Sequence, residues 1–209
     1  MSFSIVEERR TDMNNNRNPV RIVIVFTMFI LICVGVFFYL SNRSEDNNEE
    51  NSNPKVMTAV QEALSRNLET NYPPTPKELV KYYSEITRCF YGEKYTEDEL
   101  SELAVKSRKL FDDELYATQT DEQYLMALQL DIESYKEENK VISSYSVSSS
   151  TDVNEYYYDG YDWAQLYCIY SVRIGTQIAP VQERFLLRKD EQGHWKILGW
   201  QLVEDEEQE

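Results

Sequence analysis

WAQLYCIYSVRI, residues 163–174, decides the fold. Ala164, Leu166, Cys168, Tyr170, Val172 and Ile174 fall on one side, and Trp163, Gln165, Tyr167, Ile169, Ser171 and Arg173 on the other. Only an extended chain alternates its side chains with a period of two, so this is a long strand with one apolar face. Gly175 and Thr176 suit a turn after it. ERFLLRK (183–189) is the next strand and DEQG (190–193) a hairpin loop. Residues 195–203 form the last strand, with Trp195, Ile197, Gly199, Gln201 and Val203 opposite Lys196, Leu198, Trp200 and Leu202. Upstream, Val141, Ser143, Tyr145 and Val147 alternate with Ile142, Ser144 and Ser146.

Before residue 140 the period is that of a helix. Thr75-Pro76-Lys77-Glu78 is a capping box with proline at the first helical position, followed by Leu79, Tyr83, Ile86 and Phe90 on one face. Gly92 ends that helix. Thr96 and Glu99 open a second one, with Leu100, Leu103, Ala104, Ser107, Leu110 and Phe111 as its apolar face. A third starts near Thr120, with Gln123 in the box position and Leu125, Leu128, Ile132 and Tyr135 as its stripe. A short helix over 55–69 carries Val56, Val60, Leu64 and Leu68, and Tyr72-Pro73-Pro74 breaks it. Helices followed by antiparallel strands make an α+β domain at 75–204, with about three helices on one face of a curved sheet. The short helix and its proline-rich connection at 55–74 precede it.

Residues 22–40, IVIVFTMFILICVGVFFYL, carry no charge and no proline. About 19 helical residues span nearly 30 Å, the thickness of the hydrocarbon core. Arg17 and Arg21 precede the segment, and acidic residues dominate its far side. The expectation is a single-pass anchor with residues 1–21 as a cytoplasmic tail and the C-terminal domain outside. Bulky Phe37, Phe38, Tyr39 and Leu40 at its end suit a retained anchor better than a cleaved signal. SNRSEDNNEENSNP, residues 41–54, reads as a flexible acidic tether, and 205–209 as a disordered acidic tail.

The net charge is -16. Four of the 21 basic and three of the 37 acidic residues lie before residue 41, leaving 17 and 34 beyond it, a surplus of about 17 negative charges. Such a domain repels phosphate backbones, which argues against nucleic acid as a partner.

The sequence resembles two groups. The strand Trp163-Ala164-Gln165-Leu166-Tyr167, then ERFLLRK, then Gly193-His194-Trp195-Lys196-Ile197 is similar to the end of nuclear-transport-factor-two-like domains. NYPPTPKELVKYY, residues 71–83, resembles an uncharacterised family of bacterial membrane-anchored proteins, known as a domain of unknown function. The first resemblance implies a cone of helices on a curved sheet, able to hold a small ligand, an active site or nothing. Membrane-anchored domains of that fold also occur as scaffold subunits of conjugative secretion machines, which implies a role in envelope assembly. The second implies topology and no activity.

No residue pattern specifies catalysis, a cofactor or a metal. His194, the one histidine, lies at a polar hairpin. Asp162, beside Tyr161 and Trp163, is the one acid next to a strongly apolar strand, a general base if a pocket encloses it and a strand-start residue otherwise. Tyr156, Tyr157, Tyr158 and Tyr161, with Trp163 and Tyr167, suit either a contact surface or a loop folded onto its own sheet. Cys89 and Cys168 form a disulfide or stay as two buried thiols. The function expected is a non-catalytic binding or scaffold module in the bacterial envelope, with a protein partner or a second copy. The alternative is a cone that binds a small ligand or carries an enzyme site.

Overall fold

A computed structural model describes residues 57–203. The expected tail at 1–21, the membrane span at 22–40, the tether at 41–54 and the tail at 205–209 lie outside the described residues. Among the described residues no helix is long and apolar enough to cross a membrane.

Among the described residues, five α-helices precede a five-stranded antiparallel sheet: α1 (Ala59–Ser65), α2 (Pro76–Gly92), α3 (Glu97–Arg108), α4 (Asp113–Tyr116) and α5 (Asp121–Glu137), then β1 (Lys140–Val147), β2 (Asn154–Tyr158), β3 (Tyr161–Ile174), β4 (Gln177–Lys189) and β5 (Trp195–Leu202). Threonine starts four of the helices. Thr58, Thr75, Thr96 and Thr120 each accept a hydrogen bond from the backbone amide three residues on. The reciprocal bond of a full capping box is made by Gln61, Glu99 and Gln123. At Thr75 only the threonine half is present, and Pro76 supplies the second device by presetting the first turn. The first helix is shorter than expected, because its box at Thr58 and Gln61 fixes the start well after residue 55. Its Val60 and Ala63 are buried in the same core as the later helices, so the domain begins before residue 75. Leu110 and Phe111 are core residues but lie beyond the end of α3.

Gly92 ends α2 for a reason other than a left-handed turn. A Cβ there would overlap the carbonyl oxygen of Ile142, so the absence of a side chain lets the helix end close against β1.

The strand order is β1-β3-β4-β5. β4 occupies one edge of β3 along residues 163–174, so β1 and β2 share the other, β2 against 161–165 and β1 against 168–174. Ala164, Leu166, Cys168, Tyr170, Val172, Phe185, Leu187, Trp195 and Ile197 all turn to the helices and are buried. Each buried Leu, Ile, Val or Phe among them contributes about 2 kcal/mol.

Two bulges overturn the simple alternation expected for the outer strands. In β1 the register shifts between Ile142 and Ser144, which sets Ser143 outside the ladder. Ile142, Tyr145 and Val147 therefore face the core together, opposite Val172, Tyr170 and Cys168. In β5 the shift falls at Leu198, opposite the Leu186–Leu187 step. Trp200 consequently joins Trp195 and Ile197 on the helix side, stacked on Phe185 at 6.1 Å. β4 starts six residues before the expected Glu183. Pro180 lies in that added part, with β3 on one side and no described strand on the other, where a missing N–H is tolerated. The tyrosine run at 156–158, read as a loop or surface, is the strand β2.

The free edge of β5 is partly covered by the chain that leaves α3. Ile197 N donates to Leu110 O and Asp112 N donates to Ile197 O, each at 2.8 Å. That pairing blunts an edge that would otherwise offer its backbone to other chains.

Candidate functional site

Helices α2, α3 and α5 do not fill the space over the second half of the sheet. A cavity of about 370 Å³ remains, with Tyr83, Thr87 and Tyr91 from α2, Arg108 from α3, and Tyr124, Asp131 and Tyr135 from α5 in its wall. The sheet contributes Ile142, Tyr170, Val172, Val181, Glu183 and Trp200. This volume is in the range of small-molecule sites, and its wall is rich in aromatic rings.

Most polar groups of the wall are already satisfied. Arg108 is buried, and its Nε donates to Asp121 Oδ1 at 2.6 Å while Nη2 donates to the carbonyls of Tyr116 and Gln119 at 3.0 and 2.7 Å. Tyr91 donates to Asp131. The Tyr170 hydroxyl shares a 3.0 Å hydrogen bond with Ser84, and that of Tyr124 one of the same length with Ser107. Thr87 donates to the Tyr83 carbonyl at 3.0 Å.

Glu183 differs. It pairs with Cys168 across the sheet, on the inward side between Val181 and Phe185. No hydrogen bond or ion pair of its carboxyl group occurs among the described residues. Burial raises its pKa to about 7. The same surroundings hold the hydroxyls of Tyr83 and Tyr170 protonated far above their usual range, burial being the main cause in both. Sequence reading passed over Glu183. The signal was its parity: in β4 it shares a face with Phe185 and Leu187, where a charged residue is out of place.

The residues singled out in the sequence lie elsewhere. Asp162 is exposed at the start of β3 and pairs with Lys189 Nζ at 3.2 Å, so the general-base reading fails for want of a pocket. His194 is at the rim, its ring 4.5 Å from that of Tyr72. Of the two states open to Cys89 and Cys168, the structure has the free, buried thiols and no disulfide between them. Cys168 meets Ser84 Oγ at 3.3 Å, and Cys89, five residues further along α2, lies about 140° around the axis from Ser84. Tyr156 stacks on Trp163 with centroids 6.4 Å apart, and the Trp163 indole donates to the Tyr158 carbonyl at 2.9 Å. Tyr157 and Tyr158 remain 73% and 68% exposed and Tyr161 44%, while Tyr167 is half-buried. The aromatic group is thus both a braced hairpin and an open surface, apart from the cavity. Among the described residues no group of three or more His, Cys, Asp or Glu side chains can hold a metal ion.

No curated protein matches the chain. A family model described as a domain of unknown function (DUF6715) matches residues 13–200, and the chain belongs to that family.

Proposed function

We propose that the protein is a membrane-anchored, non-catalytic binding module that presents a cone-like, nuclear-transport-factor-two-like domain outside the cell membrane and takes a small ligand between its helices and sheet. The observation that carries this reading is the aromatic cavity with the Glu183 carboxyl group on its wall and no protein partner for it among the described residues. A half-buried carboxyl group that meets water only at the cavity mouth and has no protein partner costs some stability when ionised, and a bound ligand that pairs with it offsets that cost. The anchor rests on the uncharged stretch 22–40 and the arginines before it, and the family match from residue 13 includes both Arg17 and Arg21. A second reading, docking of an envelope protein, is favoured by the open tyrosines of the β2–β3 hairpin.

The test uses full-length protein in nanodiscs and a broad metabolite set, with thermal stability as the readout, because a ligand of the folded state raises the melting temperature. Compounds that stabilise the wild type and not Val181→Trp, which fills the cavity, support the ligand reading. No stabilisation by any compound, together with specific crosslinking of the Tyr157 region to an envelope protein in native membranes, replaces it with the docking reading. Protease protection in intact cells tests the topology, and a shielded C-terminal domain would reverse it.

A further inference from the structure

We infer that the cavity is built for a small organic cation, an ammonium carrying an apolar body, with Glu183 as its counter-ion. The inference rests on the ligand-binding reading above and adds the chemical class.

The polar inventory of the wall decides the sign of charge. Its one guanidinium, Arg108, has its charge countered by Asp121 and spends Nε and Nη2 on Asp121 and two backbone carbonyls, which leaves only Nη1 for a ligand. Asp131 already accepts from Tyr91. Glu183 is left as an uncommitted, negatively charged hydrogen-bond acceptor, and an anionic ligand would be repelled by it. A neutral apolar ligand would fill the volume but would leave the carboxylate unpaired and less hydrated.

The rings supply the second half of the fit. Tyr83, Phe111 and Trp200 form one cluster with centroid separations between 5.4 and 6.0 Å. Tyr91 and Tyr135 form another at 4.5 Å. Aromatic faces attract a desolvated cation and also pack against an apolar body. The cavity of about 370 Å³ admits a ligand with one ring or a short alkyl chain. The titratable groups that share the wall with Glu183 or flank it are Tyr83 and Tyr91 of α2, Arg108 of α3, Tyr124, Asp131 and Tyr135 of α5, and Cys168 and Tyr170 of β3. Only Arg108 among them is a cation, and its charge is paired with Asp121. A bound ammonium therefore becomes the nearest free positive charge, stabilises the carboxylate and expels its proton at neutral pH.

The experiment is calorimetric titration of the full-length protein in nanodiscs at pH 8, with 2-phenylethylamine, neutral 2-phenylethanol and anionic 3-phenylpropionate. The amine is expected to bind at least tenfold more tightly than the other two. Glu183→Gln, of nearly the same size, is expected to weaken the amine at least tenfold and leave the alcohol unchanged, its own melting curve showing that it folds. At pH 7, amine binding should release protons, seen as a dependence of the heat on buffer ionisation enthalpy. If the alcohol or the acid binds as tightly as the amine and Val181→Trp abolishes that binding, the cation is overturned and the ligand site stands. Binding of the amine unchanged by Glu183→Gln also overturns it. If none of the three binds, the inference and the cavity reading fall together.

Discussion

Arg188 grips Asp112 with two parallel hydrogen bonds, Nε to Oδ2 at 3.0 Å and Nη2 to Oδ1 at 2.6 Å. Asp112 Oδ1 also accepts from the amide of Glu114 at 3.0 Å, so one carboxylate caps α4 and ties it to β4. Both side chains are largely withdrawn from water, Asp112 at 6% and Arg188 at 15% exposure. Removing Asp112 leaves Arg188 with Glu114 alone, an exposed carboxylate 2.8 Å from Nη1 that only partly compensates its charge. Asp112→Ala is expected to cost about 3–5 kcal/mol in urea unfolding of the full-length protein. The double change Asp112→Leu with Arg188→Met should recover much of that loss. A double variant as weak as the single one would mean that the cap, and not the charge pair, is what matters.

Gly92 and Ile142 set a second test. Alanine improves a helix by about 1 kcal/mol over glycine in general. At position 92 the new methyl would overlap the Ile142 carbonyl oxygen, which belongs to the strand ladder and has little freedom to move. Gly92→Ala should therefore destabilise the protein by about 1–3 kcal/mol, as other overpacked sites do. An unchanged or raised melting temperature would show that the end of α2 can swing away from β1 at no cost.

Much of the helical half could be read from sequence because its signals are local. Thr75, Thr96 and Thr120 each lie three residues from the amide they cap, so residue spacing alone places the starts of α2, α3 and α5. The long strand β3 was legible for the same reason, its period of two being carried by its own residues. The bulges at Ser143 and Leu198 were not, because an extra residue is defined only against the partner strand. Trp200 was accordingly assigned to the wrong face. Asp112 and Arg188 are 76 residues apart, and neither sits in a pattern that names the other. Glu183 was the legible residue that was missed, since its parity with Phe185 and Leu187 follows from the strand already assigned. That it borders a cavity depends on how three helices fail to cover the sheet, which no strand pattern contains.

The two domain thiols should be slow to react. Burial raises the pKa of Cys89 to about 11 and also raises that of Cys168. Only the thiolate attacks a disulfide reagent, so at pH 8 both lack the reactive form as well as access. In the folded protein, mass spectrometry after alkylation should show Cys89 and Cys168 largely unmodified. In denaturant without reductant both should be alkylated fully. Protection that persists in denaturant and yields only to reductant would reveal a disulfide.

Glu183 makes stability depend on pH in a stated direction. Its carboxyl group keeps its proton up to about pH 7 when folded, against an ordinary value of 4.5 when the chain is unfolded. Below pH 4.5 both states are protonated and the group has no effect. Between the two values the unfolded chain has released its proton and the folded one has not, so stability falls as pH rises. Above pH 7 the loss is complete and constant. The span between the two values sets a ceiling of about 3 kcal/mol, and water entering the cavity mouth should reduce it to about 2 kcal/mol. Glu183→Gln removes the charge and keeps the shape, so the variant should match the wild type at pH 4 and exceed it by about 2 kcal/mol at pH 8. Other titrating groups are common to both proteins and cancel in the difference. A difference that stays flat across this range would mean that Glu183 ionises in the folded state as readily as in water, and the carboxylate would then need no ligand to accompany it.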